Sequence, residues 1–467
     1  MKEHNIRIKK QLDFTEGPIF IRMLLYTLPI ILTGLLQLSY NMADNMIVGK
    51  FSSEEFALAA VGATNEVTSL ILILVLGVGA GASIVVSQAY GAKDTERISK
   101  AVHTSITFSM ISGIVFAFLT FILAKPILEL MEINPAFIDK SILYVRIYAF
   151  GVPAVTVANF AGPIIRGVGD SKTPLIFFIC SALINVGLNL LFVAGLGLDV
   201  DGVAYATVIS QYFSAIASLS LLIKRKNTSY AFSFRKMCID KKILLQALRY
   251  GIPQGIQSAM FSVSNMMVIS SMNTFNGYIY TGYTISNNIN NIVNHICNGY
   301  SSGCLTFTAQ NYGAKNKSRI NKVLLYSMLQ VIIAGVLVGQ LVILFNEPIA
   351  MLYIPNNSEH VEEILGVMKE ITTLLLSTYF LYGIMSVLSG SLRGIGHSFV
   401  PMLIYIVGLC VIRVLWVLFV FPVWTSPIGL MTCYPVSWLA TALALAVTRL
   451  IAEKKLKLLK KEADASL

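Results

Sequence analysis

Long apolar runs separated by short polar stretches organise almost the whole chain. They fall at approximately 22–48, 57–89, 102–124, 142–165, 174–198, 202–223, 243–271, 281–310, 323–346, 364–392, 400–421 and 427–450. None alternates with a period of two, and many exceed the roughly 9–11 residues of a membrane barrel strand. A helix needs about 20 predominantly apolar residues to span a bilayer, and only helices or closed barrels satisfy their backbone groups there. The pattern therefore predicts an all-α membrane protein with 12 transmembrane helices.

Composition agrees with that reading. Hydrophobic residues make up 55% of the 467 and charged residues 13%, against about 25% charge in an ordinary soluble domain. What remains outside the spans suffices for short loops and tails, with no room for a large soluble domain. A net charge of +11 could suggest nucleic acid, but the basic residues sit in short clusters between apolar runs, which is a topology signal. With the N-terminus placed in the cytoplasm, 29 of the 35 Lys and Arg residues fall on the cytoplasmic side. The outer loops then hold many of the acids, among them Glu54, Glu55, Glu129, Asp139, Asp199 and Glu347. Both termini are expected in the cytoplasm, with no removable signal peptide. The six cysteines show neither metal-ligand spacing nor a disulfide framework.

The chain also repeats itself. Residues 84–103, IVVSQAYGAKDTERISKAVH, match 306–325, TFTAQNYGAKNKSRINKVLL, at an offset of 222. RGVGDSKTP at 166–174 matches RGIGHSFVP at 393–401 at 227, and the Tyr26–Pro29 segment YTLP matches YGIP at Tyr250–Pro253 at 224. Three marks in the same order at nearly one offset indicate a duplication. The period holds an even number of spans, six, so both halves enter the membrane in the same direction. The expected organisation is an N-terminal six-helix lobe over 1–223, a basic cytoplasmic linker over 224–242, a C-terminal six-helix lobe over 243–450 and a basic tail over 451–467.

These landmarks resemble the MATE (multidrug and toxic compound extrusion) family, bacterial NorM-type and DinF-type proteins included. The resemblance covers roughly 15–450, and its carriers are MADNMIVGKF at 42–51, SQAYGAKD at 87–94, AQNYGAKN at 309–316, RGVGDSKTP and LINVGLNLLFVAGLGLDVDGVAYATVISQ at 183–211. It implies two pseudo-symmetric six-helix bundles enclosing a V-shaped central cleft. It also implies antiport of organic cations against sodium ions or protons.

Polar residues inside the spans are the candidate chemistry. Asp44 lies near the outer end of the first span among Met42, Ala43, Met46, Ile47 and Val48. An ionisable group in a spanning helix costs about 2.5–3.5 kcal/mol on insertion scales, so it is a functional candidate by default; the bland alternative is a helix-end residue meeting water. Asn185 and Asn189, one turn apart, share a face of the fifth span. Their amide oxygens are hard neutral ligands suited to sodium beside one carboxylate, although interhelical hydrogen bonding is the ordinary use of such residues. The resemblance places both positions in the first lobe's cation site. Some members carry Asp where this chain has Asn189, which leaves a single carboxylate and tilts the reading toward Na+ at Asp44, Asn185 and Asn189. Thr207 falls at the same depth and joins the cation-coupling set, its competing role being a back-bonded helix hydroxyl.

A second group is assigned to the substrate cleft. Glu66 is either a second acid or an interfacial residue. Asn287, Asn288, Asn291, Asn294 and His295 make the eighth span too polar to face lipid throughout. Arg413 is a lone intramembrane cation in the eleventh span. The acids of the NorM-type second lobe are not visible here, so coupling is expected in the first lobe only. With what the resemblance implies, the expectation is a multi-pass secondary-active antiporter in a bacterial plasma membrane, acting as a monomer on small amphipathic cations. Na+ or H+ is the coupling ion, with no other cofactor and no nucleic-acid partner. A lipid-linked saccharide flippase would need a strongly basic groove, and only Arg413 is basic within the spans. An enzyme would need clustered catalytic side chains, and none is apparent; a non-transporting receptor would leave a buried acid without purpose.

Overall fold

The computed structural model describes residues 13–51, 57–351, 353–354 and 360–465, and secondary structure there is helical, without strands. In chain order the helices are α1 (Ile19–Phe51), α2 (Ala57–Gly91), α3 (Thr95–Leu130), α4 (Ile138–Gly167), α5 (Lys172–Asn189), α6 (Val200–Lys224), α7 (Lys241–Met272) and α8 (Gly277–Gly313). They are followed by α9 (Lys317–Leu344), α10 (Asn346–Met351), α11 (Val361–Gly394), α12 (Phe399–Tyr405), α13 (Ile412–Leu415), α14 (Pro427–Met431) and α15 (Cys433–Ala465). Three wide π-helical stretches extend or join them: Leu190–Gly195 prolongs α5, Ile406–Val411 links α12 to α13, and Trp416–Val420 follows α13. Counted as continuous segments, these make the twelve spans that the apolar runs predict, in two six-helix bundles.

Among the described residues, nine of the segments are long and apolar enough to cross a membrane. Helices α7 and α8 have the length, 32 and 37 residues, but carry too many polar side chains to pass on composition. Large apolar side chains at Ile114, Phe118, Phe150, Leu183 and Ile216 are exposed on the helices, as lipid-facing positions must be. Two features lie beyond the apolar pattern. The short α10 was not expected. The basic tail continues α15 to Ala465, because Lys, Leu, Glu and Ala are all strong helix formers.

The chain divides into two compact units, Met1–Ile252 with Ala309–Arg319, and Pro253–Thr308 with Ile320–Leu467. In the first, α2, α3, α4 and α6 pack around Val85, Ala89, Ile98, Val102, Phe160, Ile164 and Leu222. The stretch joining α6 to α7 is docked on this core. Tyr230 and Phe232 are buried, the Ser233 N–H donates to His103 Nε2 at 3.1 Å, and the Asp240 N–H donates to Thr104 Oγ1 at 3.0 Å. Because His103 Nε2 accepts, its Nδ1 carries the proton and donates to Ser99 O at 2.8 Å. In the second unit α11 packs along α15 and α14, and Arg449 ties α15 to Asn321 of α9 at 2.9 Å.

The duplication is visible atom by atom. After α2, Lys93 N donates to Tyr90 O and Asp94 N to Ala89 O; after α8, Lys315 N donates to Tyr312 O and Asn316 N to Asn311 O. Both turns put the lysine in the left-handed region at φ 56°, and both end with a side chain, Asp94 or Asn316, capping the Arg97 or Arg319 N–H. The second repeated loop behaves alike. Gly169 (φ 96°) and Gly396 (φ 90°) each close a helix with the paired hydrogen bonds of a Schellman motif. The glycines of the Tyr-Gly-Ala-Lys turns have a separate reason. A Cβ on Gly91 would overlap the Gln310 carbonyl, and one on Gly313 would overlap the Gln88 carbonyl, so the two turns sit backbone against backbone in the first unit.

Candidate functional site

Asp44, Asn185, Asn189 and Thr207 come together from three helices of the first unit. Helix α5 packs against both α1 and α6, and the one-turn spacing of Asn185 and Asn189 aims both amides at the same seam. Asn189 Nδ2 donates to Asp44 Oδ1 at 2.7 Å and to Asn185 Oδ1 at 2.9 Å. Asn185 Nδ2 in turn reaches Thr207 Oγ1 at 3.5 Å, a long contact. Both asparagines are fully buried, Thr207 is buried and Asp44 is half-buried. The carboxylate thus occupies the more accessible end of a polar file that runs inward along α5.

The file is incomplete as protein chemistry. Asn189 Oδ1 is buried and has no hydrogen-bond partner. A buried acceptor left unmade costs about 1–3 kcal/mol, and here it adjoins a carboxylate and an amide oxygen. All the groups are oxygen donors of the kind hard cations take. Among the described residues no three of His, Cys, Asp and Glu gather, so a cation at Asp44 would have to take amide and hydroxyl oxygens as its remaining ligands. The π-helical stretch begins one residue after Asn189, and such wide turns recur at functional sites.

Four neighbours complete the surroundings. Tyr40 lies one turn before Asp44 on α1, and its hydroxyl, like that of Tyr144 on α4, reaches the Thr207 side chain. Ser210 donates to Thr207 O at 2.8 Å, and Ser181 of α5 donates to Ser210 O at 2.6 Å, locking α5 to α6. Only Tyr40 carried a signal in the sequence, its i, i+4 spacing from Asp44; the others are brought in by packing.

The second group of sequence candidates is split. Glu66 has its side chain outside the described residues. Asn287, Asn291 and Asn294 line a cavity of about 90 Å³ in the second unit, together with Asn265, Tyr434 and Trp438. Asn288 is exposed and His295 half-buried, and neither lines that cavity. Arg413 is 1% exposed, one layer behind the cavity wall, with Nη1 donating to Asn265 Oδ1 at 2.7 Å and its guanidinium 4.1 Å from the Tyr434 ring. Asn265 and Tyr434 gave no sign in the sequence.

Comparison with known proteins extends this picture. The MatE family model matches residues 29–191 and 253–418, one match in each half. The chain is 30% identical to the probable multidrug resistance protein YoeA of Bacillus subtilis, over 82% of this chain and 83% of that one. It is 23% identical to the probable multidrug resistance protein NorM of Thermotoga maritima, over 83% of this chain and 82% of that protein. In fold it matches a crystal structure of a MATE protein in complex with MaL6, with a TM-score of 0.88 and 22% identity, covering 96% of this chain and 99% of that one.

Proposed function

Because the chain belongs to the MATE family of multidrug transporters, we propose that it is a secondary-active exporter whose coupling ion, Na+ or H+, binds at Asp44, Asn185, Asn189 and Thr207. The observation that supports this most directly is the buried Asn189 carbonyl oxygen, without a donor, beside the one carboxylate of the file. A cation at that point would satisfy the orphan oxygen and neutralise Asp44 together. The protein would lie in a bacterial plasma membrane with both termini in the cytoplasm, a topology that the clustered Lys and Arg support.

The physics of coupling sets what the site must do. An ion drives export only if it binds one conformation better than another, and each tenfold preference is worth about 1.4 kcal/mol. Since the ligands come from three helices, a shift of α1 or α6 against α5 changes the number of oxygens around the ion, and so its affinity. Small amphipathic organic molecules, organic cations first among them, are the cargo. The test is efflux of a fluorescent cationic dye from everted membrane vesicles or pump-deficient cells under imposed sodium and pH gradients. Wild-type efflux that follows one gradient, and that Asp44→Asn abolishes, supports the reading. Efflux indifferent to both gradients refutes the coupling, and no efflux of any dye refutes the exporter reading for this class of cargo.

A further inference from the structure

The cavity of the second unit has a wall that the coupling site lacks. Arg413 is buried with no ion pair among the described residues. Its hydrogen bonds go to neutral groups: Asn265 at 2.7 Å, Ser437 at 3.2 Å and Ser264 at 3.4 Å. Its Nη2 has no partner at all. A guanidinium is always charged and only donates, so this corner of the unit holds an uncompensated positive charge.

That charge fixes the groups between it and the cavity. Asn265 must turn its carbonyl oxygen toward Arg413, and the same oxygen lies 3.4 Å from the Tyr434 hydroxyl. Its amide nitrogen is therefore the atom left to face elsewhere, and Asn265 lines the cavity as a hydrogen-bond donor. The Tyr434 ring already carries the guanidinium at 4.1 Å. A ring whose quadrupole is engaged by one cation is a poorer seat for a second. Around this donor the lining is aromatic, with Tyr379, Tyr382 and Trp438 edge to face at 5.0–5.6 Å.

The repeat sharpens the contrast. At the offsets of 224 for the first helix of each half and 227 for the later ones, Asp44, Asn185, Asn189 and Thr207 correspond to Val268, Ile412, Trp416 and Tyr434. The register is anchored by Gly202 with Gly429 and Ser210 with Ser437. At these positions the second half carries neither a carboxylate nor an amide, Tyr434 alone keeping a hydroxyl, and the residue following the counterpart of Asn185 is Arg413.

We infer that the cavity bounded by Asn265, Asn287, Asn291, Tyr434 and Trp438 seats the acidic end of an aromatic compound, a carboxylate or phosphate drawn by Arg413 and received by the Asn265 amide. The inference rests on the exporter reading and adds to its cargo molecules that carry an acidic group, zwitterions included. Cargo and coupling ion then occupy separate units with opposite polarity, so neither competes for the other's ligands.

Fluorescein and rhodamine 123 share a xanthene scaffold but carry opposite charge, and their fluorescence anisotropy reports binding to the purified full-length protein in detergent. Fluorescein is expected to bind at least tenfold more tightly than rhodamine 123. Arg413→Gln, which keeps donors but removes the charge, is expected to weaken fluorescein tenfold or more and leave rhodamine 123 unchanged or tighter. Because removing a buried arginine can disturb folding, Asn265→Asp is the second variant: its carboxylate pairs with Arg413, and the preference between the dyes should reverse. The binding is read at equilibrium with no ion gradient imposed, which separates this test from that of ion coupling. Tighter rhodamine 123 binding by wild type, or equal losses of both dyes in Asn265→Asp with an unchanged melting temperature, would overturn the assignment.

Discussion

Asn189 gives its amide protons to two oxygens, Asp44 Oδ1 at 2.7 Å and Asn185 Oδ1 at 2.9 Å, while its own buried oxygen receives none. One side chain thus both orients the carboxylate and leaves a vacant acceptor next to it. Replacing it by alanine removes both properties. For Asn189→Ala the ion concentration giving half-maximal efflux is expected to rise tenfold or more, equivalent to about 1.4 kcal/mol, with the maximal rate less affected. An unchanged half-maximal concentration in a normally expressed variant would reduce Asn189 to a packing residue.

Asp44→Asn keeps the size of the side chain and a hydrogen-bonding oxygen but loses the charge. Gradient-driven export is expected to fall by at least tenfold, measured as the initial rate of dye movement in everted vesicles, while equilibrium dye binding persists. Rates equal to wild type would remove this carboxylate from coupling.

Thr207→Val deletes the hydroxyl that Asn185 reaches at 3.5 Å and that Tyr40 and Tyr144 also approach. The contact to Asn185 is long, so a weaker effect is expected than at Asn189, about two- to fivefold in ion affinity, on the order of 0.5–1 kcal/mol. A larger loss than that of Asn189→Ala would make the hydroxyl, and not the amide file, the principal ligand.

Gly313→Ala places a methyl on the Gln88 carbonyl, and Gly91→Ala places one on the Gln310 carbonyl. Backbone cannot yield as a flexible side chain does, so each variant is expected to lose about 1–3 kcal/mol. Thermal unfolding in detergent, followed by size-exclusion or intrinsic fluorescence, reads the loss. Because the two contacts are reciprocal, the double variant should lose less than the sum of the single ones. Strict additivity would mean that the turns do not share one contact.

The helical scaffold was legible because its determinants are local. Apolar length marks a spanning helix, and the turns are written in Gly and in short polar caps such as Asp94 and Asn316. The meeting of Asp44, Asn185, Asn189 and Thr207 was legible for a related reason: helical spacing and membrane depth are both properties of position along the chain. Ser210 and Tyr144 were not legible, since nothing in their spacing announces the packing of α4 and α6 that delivers them. Arg413 stood out in sequence as a charge, but its meaning depends on Asn265, which lies on a different helix. The wide turns after Asn189 and around Arg413 arise from an altered backbone pairing that residue types do not encode.

The π-helical stretch Leu190–Gly195 has a mechanical consequence for α5. A wide turn accommodates one residue more than its neighbours, and that surplus can migrate along a helix by exchanging one carbonyl partner at a time, without melting the rod. Passed one step toward Asn185, it would swing Asn189 by about 100° around the axis and take its amide away from Asp44. A slip of winding in this one span would thus make or break the Asn189–Asp44 contact with the two ends of the span held in place.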